Sequence, residues 1–170
     1  MINFKEQLHQ VKAFLFDVDG VFSNGNVYLT PDGEMLRTMN TKDGFAVVQA
    51  VKSGFLIGII TGGYSESVRK RFNDLGVTDV YIKSPNKYND YLDFMAKYSL
   101  SPEQIMYMGD DLPDYKVMSS IGLPVCPADA VEEIKSISVY ISDKDGGNGC
   151  VRDVIEQVMR AQGKWNKTEV

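Results

Sequence analysis

The stretch Val11-Lys12-Ala13-Phe14-Leu15-Phe16-Asp17-Val18-Asp19-Gly20-Val21 decides the fold. Five of its first six residues are apolar, Lys12 being the exception, and the run stops abruptly at two carboxylates. A near-continuous apolar run of this length reads as a strand buried on both faces, as in a parallel sheet. Placing Asp17 and Asp19 at the tip of a buried strand is costly unless something compensates their charge. In open α/β sheets ligands sit just outside the carboxyl ends of the strands. The stretch therefore predicts an active site with a bound cation, built on the first strand.

Working outward, Asn26–Thr30 and Met35–Met39 read as short strands flanking the turn Pro31-Asp32-Gly33-Glu34. This is a β-hairpin, spanning 23–39, inserted after the first strand and projecting from the sheet. Asp43-Gly44 precedes a periodic apolar stretch (Phe45, Val47, Val48, Val51) that predicts a helix ending near Ser53-Gly54. A second buried strand, Phe55–Ile60, ends at Thr61-Gly62-Gly63. A helix over 65–75 follows, with Ser65 as its N-cap and Gly76 past its end. Val77–Ile82 is the third strand. Asn86 or Lys87 opens a helix to about Tyr98, with Leu92, Met95 and Ala96 expected inward. Ser101-Pro102-Glu103-Gln104 begins a short helical turn. Ile105–Gly109 is a fourth strand that again ends in carboxylates, Asp110-Asp111. A helix from Pro113 to Ser120, a strand over 123–126, a helix from Ala130 to Ser136, a strand over 139–141 and a helix over 150–161 complete the chain. The loop Gly146-Gly147-Asn148-Gly149 reads as a flexible connection, and 162–170 as a polar tail with one tryptophan. Strand and helix alternate without repeat or linker, which implies one α/β domain over 1–170: a doubly wound, Rossmann-like parallel sheet.

The bulk numbers agree. A chain of 170 residues with 44% hydrophobic and 24% charged residues fits one soluble domain. A net charge of −5 with no basic stripe argues against nucleic acid. The best apolar run, Phe55–Ile60, is far too short to span a membrane. The first residues carry no signal-peptide core, and Cys126 and Cys150 have neither disulfide-framework nor zinc spacing, so a cytoplasmic location is expected. The single histidine, His9, precedes the first strand and reads as a surface residue. Acid–base work falls to carboxylates.

Four places carry reactive side chains: Asp17 and Asp19, Thr61, Lys87, and Asp110-Asp111 with Asp114. In a parallel sheet the carboxyl ends of the strands point one way, so these can converge. Clustered carboxylates suit a hard, oxygen-loving divalent ion such as Mg²⁺. A threonine hydroxyl and a lysine ammonium add donors for an anion. Acids for a metal and donors for phosphoryl oxygens together suit phosphoryl transfer. With no Ser-His or Cys-His pair, an aspartate is the candidate nucleophile. Each residue alone has a plainer reading: an Asp-x-Asp turn, a threonine cap, a solvated lysine, a helix-start charge at Asp111 or Asp114.

Asp17-Val18-Asp19-Gly20-Val21, Thr61, Lys87 and Gly109-Asp110-Asp111, in this order, resemble the motifs of the haloacid dehalogenase-like phosphatases. The lack of a second cap domain resembles the minimal, hairpin-bearing branch. Asn40–Gly44, Gly109–Leu112, Gly146–Arg152 and Ala161–Lys164 are similar to the 3-deoxy-D-manno-octulosonate 8-phosphate phosphatase family. The resemblance implies a Mg²⁺-dependent phosphomonoesterase. Asp17 is its nucleophile and a metal ligand. Asp19 is its general acid and then base, with its backbone carbonyl on the metal. Asp110 is the third ligand, and Asp111 and Asp114 are supports. It implies that Thr61, Lys87 and backbone near Gly20 and Gly62 hold the phosphoryl group, and that Asn40, Lys42, Asp43, Gly44 and Arg71 contact the substrate. It also implies a homotetramer whose hairpins associate and whose tails help close neighbouring sites. Two positions depart from the family: Gly63 and Val48 stand where arginines are common, with Lys42 or Arg69 as possible replacements. Rival readings are a nine-carbon, sialic-type sugar acid phosphate as substrate, a non-catalytic module on the same fold, and a phospho-receiver. Intact Asp17 and Asp19 argue against the module. Their place on the first strand, ahead of a hairpin, argues against the receiver.

Overall fold

The computed structural model describes residues 3–165. A short helix α1 (Phe4–Gln7), capped by Asn3, and a 3₁₀ turn (Leu8–Gln10) lead into β1 (Ala13–Phe16). The hairpin strands are short, β2 (Tyr28–Leu29) and β3 (Met35–Leu36), and pair antiparallel in a sheet of their own. Then come α2 (Thr41–Lys52), β4 (Leu56–Ile60), α3 (Glu66–Asp74), β5 (Asp79–Tyr81) and α4 (Lys87–Lys97). A 3₁₀ turn (Pro102–Gln104) precedes β6 (Ile105–Met108). Another (Leu112–Asp114) precedes α5 (Tyr115–Met118), and β7 (Leu123–Cys126), α6 (Glu132–Ile137), β8 (Tyr140–Ile141) and α7 (Cys150–Ala161) follow.

The main sheet has the order β5-β4-β1-β6-β7-β8, every pairing parallel. β1 is central. The chain winds outward through β4 and β5, then returns to β6 on the other side of β1. The crevice between the ends of β1 and β6 is thus the topological switch point, where such sheets bind ligands. Side-chain alternation on β1 divides the core. Phe14 and Phe16 face α2, α3 and α7, meeting Val47, Phe72 and Val154. Ala13 and Leu15 face α4, α5 and α6, meeting Phe94, Val117 and Ile134. All four β1 residues are fully buried.

Two local expectations are corrected. Helix α2 starts at Thr41, ahead of Asp43-Gly44, because the Asn40 side chain accepts the Lys42 N–H at 2.8 Å and caps the first turn. In α4 the inward face is Lys87, Tyr91 and Phe94, whereas Leu92 and Ala96 are exposed and Met95 is half-buried. The larger rings of Tyr91 and Phe94 claim the core, turning the helix away from the apolar stripe read from the sequence. The expected helix over 65–75 has its cap at Ser65, which accepts the Val68 N–H. Of the tail, Gln162 to Trp165 folds back on its own chain. Gln162 donates to the Leu8 and Val11 carbonyls at 2.9 and 2.8 Å, and Trp165 sits edge-on to Phe45 with the Arg152 guanidinium beside it. Residues 166–170 lie outside the described residues.

Candidate active site

Asp17 directly follows β1, Thr61 follows β4, and Asp110 lies two residues past β6. The parallel pairing of these three strands brings the three residues to one edge, where the first turn of α4 adds Lys87. A cavity of about 300 Å³ opens there, lined by Asp17, Asp19, Gly25, Thr61, Gly62, Gly63, Lys87, Asp110, Asp111 and Pro113. A larger cleft of about 820 Å³ lies at the opposite, amino edge of the sheet, with His9, Lys12, Leu56, Tyr98 and Gln104 among its lining. It holds no paired acids, so the chemistry belongs to the smaller one.

The centre of the site is a buried cluster of charges. Lys87 Nζ donates to Asp17 Oδ2 and to Asp114 Oδ1, each at 2.8 Å. Asp114 is fully buried. Its Oδ1 also accepts the Tyr107 hydroxyl at 2.6 Å, and its Oδ2 accepts the Asp110 N–H at 3.1 Å. Asp17 Oδ1 takes the Val18 N–H at 2.7 Å. Oxygens of Asp17, Asp110 and Asp114 lie within 4.8 Å of one another. One ammonium among three carboxylates leaves the cluster short of positive charge. Burial, with Asp114 next to it, raises the Asp17 carboxyl well above its ordinary range, although Lys87 opposes this. Burial and the Asp114 charge push Asp110 up to about 7. For Lys87, burial works against the charge, but Asp17 and Asp114 outweigh it and hold the ammonium more firmly protonated than usual.

These residues fit a hard divalent cation. Asp110 Oδ1 is buried and has no hydrogen-bond partner among the described residues. A buried carboxylate oxygen left bare is expensive, and a metal ion is the partner that suits it. Asp114 is close enough to be a ligand, but three donors, from Lys87, Tyr107 and the Asp110 N–H, already surround it, whereas each Asp17 oxygen takes one donor and Asp110 Oδ1 takes none. Asp17 and Asp110 are therefore the side chains left to hold a metal. Gly20, with φ of +85°, brings the turn after Asp19 against Asp110, and a Cβ there would overlap Asp110 Oδ2. Gly146 and Gly147 of the late loop press on the same turn, with the Gly147 N–H on the Val21 carbonyl at 2.9 Å. The loop expected to be a flexible connection is thus packed behind the site.

Thr61 is buried, and its Oγ1 accepts the Gly63 N–H at 3.2 Å. Asp111 is exposed and caps the Leu112 N–H at 2.7 Å. Asp19 is held by a residue that the sequence did not single out. Arg37, just past β3, donates from Nε to Asp19 Oδ1 at 2.7 Å and from Nη2 to Oδ2 at 3.0 Å. The signal that could have found it is geometric: a hairpin about 18 residues long returns its outgoing strand to where it left the sheet. Tyr107, read only as a strand residue, is the other residue missed.

The structure does not bring Asn40, Lys42, Asp43, Gly44 or Arg71 into this cavity. Asn40 caps α2. Asp43 is fully buried and accepts the Arg152 N–H at 2.8 Å, joining α2 to α7. Gly44 and Arg71 meet on another shallow surface, where a Cβ on Gly44 would come 2.8 Å from Arg71 Nη2. Lys42 lines a third hollow with Asn148, Arg152 and Arg160.

Residues 59–154 match the family model for haloacid dehalogenase-like hydrolases. The chain is 36% identical to the 3-deoxy-D-manno-octulosonate 8-phosphate phosphatase of Escherichia coli K12, over 94% of this chain and 85% of that protein. The crystal structure of the Yersinia pestis phosphatase of the same name superposes with a TM-score of 0.91 at 34% identity, covering 94% of this chain and 86% of that one. The Moraxella catarrhalis phosphatase, whose structure holds a magnesium ion, a phosphate ion and a KDO molecule, gives 0.90 at 30% identity, covering 94% and 91%. The switch-point crevice, its charge-deficient aspartates and these likenesses agree: the chain belongs to the 3-deoxy-D-manno-octulosonate 8-phosphate phosphatase family of the haloacid dehalogenase-like hydrolases.

Proposed function

We propose that this chain is a Mg²⁺-dependent phosphomonoesterase that hydrolyses 3-deoxy-D-manno-octulosonate 8-phosphate to the free sugar acid and phosphate. The observation that carries the reading is the bare, buried Asp110 Oδ1 beside Asp17, in a cluster with one ammonium for three carboxylates. Asp17 and Asp110, with the Asp19 backbone carbonyl, would hold the magnesium, which would supply the missing positive charge beside the phosphoryl group. The Moraxella relative supports the choice of metal and sugar.

The residues divide the work. A carboxylate oxygen of Asp17 attacks phosphorus, the bond from phosphorus to the sugar oxygen breaks, and Asp19 gives its proton to that oxygen. A water then attacks the aspartyl-phosphate, Asp19 takes the water's proton, and phosphate leaves with Asp17 restored. Lys87 has three N–H donors and spends two on Asp17 and Asp114, so the third can meet a phosphoryl oxygen. Thr61 accepts from Gly63, leaving its own O–H to donate to the phosphoryl group. Asp114 and Tyr107 fix Lys87; Asp111 borders the cavity.

The same reading makes 1–170 one catalytic unit that works in the cytoplasm as a homotetramer. No helix among the described residues is long and apolar enough to cross a membrane. Support for association comes from the hairpin. Tyr28 and Leu29 are 66% and 77% exposed, and Met35 and Leu36 are exposed beside them. A lone two-stranded hairpin is marginally stable in water, so such apolar side chains favour a partner surface.

Phosphate release measured across a panel of sugar phosphates with Mg²⁺ tests the reading. The eight-carbon keto-deoxy acid phosphate is expected to give the highest kcat/KM. Any other best substrate, a nine-carbon keto-deoxy acid phosphate included, contradicts the eight-carbon assignment.

A further inference from the structure

The Arg37 guanidinium packs against two residues that line the cleft, Asp19 and Gly63. Its side chain is only 4% exposed, whereas that of Asp19 is 34% exposed. A Cβ on Gly63 would stand 2.8 Å from Arg37 Nη2 and 3.5 Å from both Asp19 Oδ2 and Thr61 Oγ1. The hairpin has thus carried a cation into the space that a side chain at position 63 would fill, next to the proton donor and the phosphoryl-binding threonine. The remaining end of the guanidinium is anchored, Nη1 donating to the Met35 carbonyl at 2.6 Å.

Both Asp19 oxygens are engaged by this fork. Asp19 must release at least one of them to reach a leaving oxygen. A guanidinium as buried as this one, once freed, needs another acceptor, because a buried unpaired charge is costly. A second carboxylate is the acceptor that fits a planar fork.

We propose that Arg37 selects substrates that carry a carboxylate besides the phosphate: on binding, the guanidinium passes from Asp19 to the substrate carboxylate, which leaves the Asp19 oxygens free to meet the leaving oxygen. Arg37 is a specificity and positioning residue in this scheme, and it stands in for a side chain at position 63. The inference rests on the phosphatase reading above. It explains how a chain with Gly63 reads an acidic sugar. It also makes esters of neutral sugars poor substrates for a stated reason: they bring no group to relieve Asp19.

The test compares 3-deoxy-D-manno-octulosonate 8-phosphate with mannose 6-phosphate, both with Mg²⁺, in wild type, Arg37→Ala, Arg37→Lys and the double variant Arg37→Ala with Gly63→Arg. In Arg37→Ala, kcat/KM for the acidic substrate should fall about ten- to a hundredfold, as for loss of a charge-assisted pair, while kcat for mannose 6-phosphate rises. Arg37→Lys, which keeps the charge but not the fork, should lie between. Gly63→Arg should restore preference for the acid, because Gly63 has no positive φ and only the departed guanidinium crowds its Cβ. The opposite movement of the two substrates is what a merely structural role would not produce. Parallel loss on both substrates, or no change in their ratio, in Arg37→Ala and Arg37→Lys overturns the inference while leaving the phosphatase reading intact. Absence of phosphate release by the wild type defeats the phosphatase reading instead.

Discussion

Lys87 Nζ stands 2.8 Å from Asp114 Oδ1, inside the protein, and this pair is the base on which the site rests. The same ammonium reaches Asp17 at an equal distance. Asp114 in turn gathers the Tyr107 hydroxyl from β6 and the Asp110 N–H. Asp17, Asp110 and Lys87 are therefore held together around one fully buried carboxylate.

Replacing Lys87 by Met keeps the apolar stem and removes the charge. Breaking a buried pair from one side costs about 3–5 kcal/mol, because the other charge stays buried and bare. Here two carboxylates are left. Thermal unfolding of Lys87→Met without metal should fall by on the order of 10 °C, and turnover should be lost. A melting temperature near that of wild type would show that the cluster does not depend on this ammonium.

Metal addition should act in the opposite direction on the wild type. A ligand that binds only the folded state at a hundred times its Kd adds about 2.7 kcal/mol. Mg²⁺ should raise the melting temperature of the wild type, and raise that of Asp110→Asn far less. Equal rises in the two proteins would remove Asp110 from the metal site.

Two glycines with the same backbone separate strain from chemistry. Gly20 and Gly33 both have φ of +85°, but a Cβ on Gly20 overlaps Asp110, whereas one on Gly33 meets nothing within 4 Å. Each alanine variant should lose about 1–2 kcal/mol for the left-handed backbone. Only Gly20→Ala should also lose activity, by displacing Asp110. Denaturant unfolding and initial rates, measured side by side, check this. Full activity in Gly20→Ala would contradict the close approach.

Stability should depend on pH through Asp79, far from the chemistry. Burial works to raise its carboxyl, but Lys97, Tyr98 and Thr78 outweigh it and hold it below the ordinary value. An acid lowered by folding stabilises above its unfolded pKa of about 3.9 and loses that contribution as pH falls through the folded value. Asp79→Asn should therefore be clearly less stable than wild type at pH about 7, with the gap closing below about 3.9. Urea unfolding at both pH values measures it; a gap that does not change with pH would rule out the charge as its cause.

Asp17, Thr61 and Asp110 were legible in the sequence because each follows an apolar run, and a parallel sheet sends all such ends to one edge. Lys87 was legible as a helix start after the third strand. Asp114 was legible only as a support. Its central place depends on Tyr107 and on a lysine 27 residues away, which no local pattern encodes. Arg37 was invisible for a similar reason. Two-residue strands carry almost no periodicity, and the direction of a side chain beyond them is set by tertiary packing. In α4 the apolar spacing of Leu92, Met95 and Ala96 was real but misleading, because Tyr91 and Phe94 bury more surface. Asp43 shows the converse: an acid near a motif is fully buried and joins two helices, which its position in the sequence does not announce.

The central claim is that Asp17 attacks phosphorus and carries it as an aspartyl-phosphate. Rapid quenching of the Mg²⁺-loaded enzyme during turnover of 3-deoxy-D-manno-octulosonate 8-phosphate, followed by borohydride reduction and peptide mass spectrometry, tests this most directly. Reduction of an acyl phosphate converts that aspartate to homoserine. The account predicts homoserine at position 17 and at no other aspartate; homoserine at Asp19 or Asp110 instead, or none at all while phosphate is still released, would contradict it.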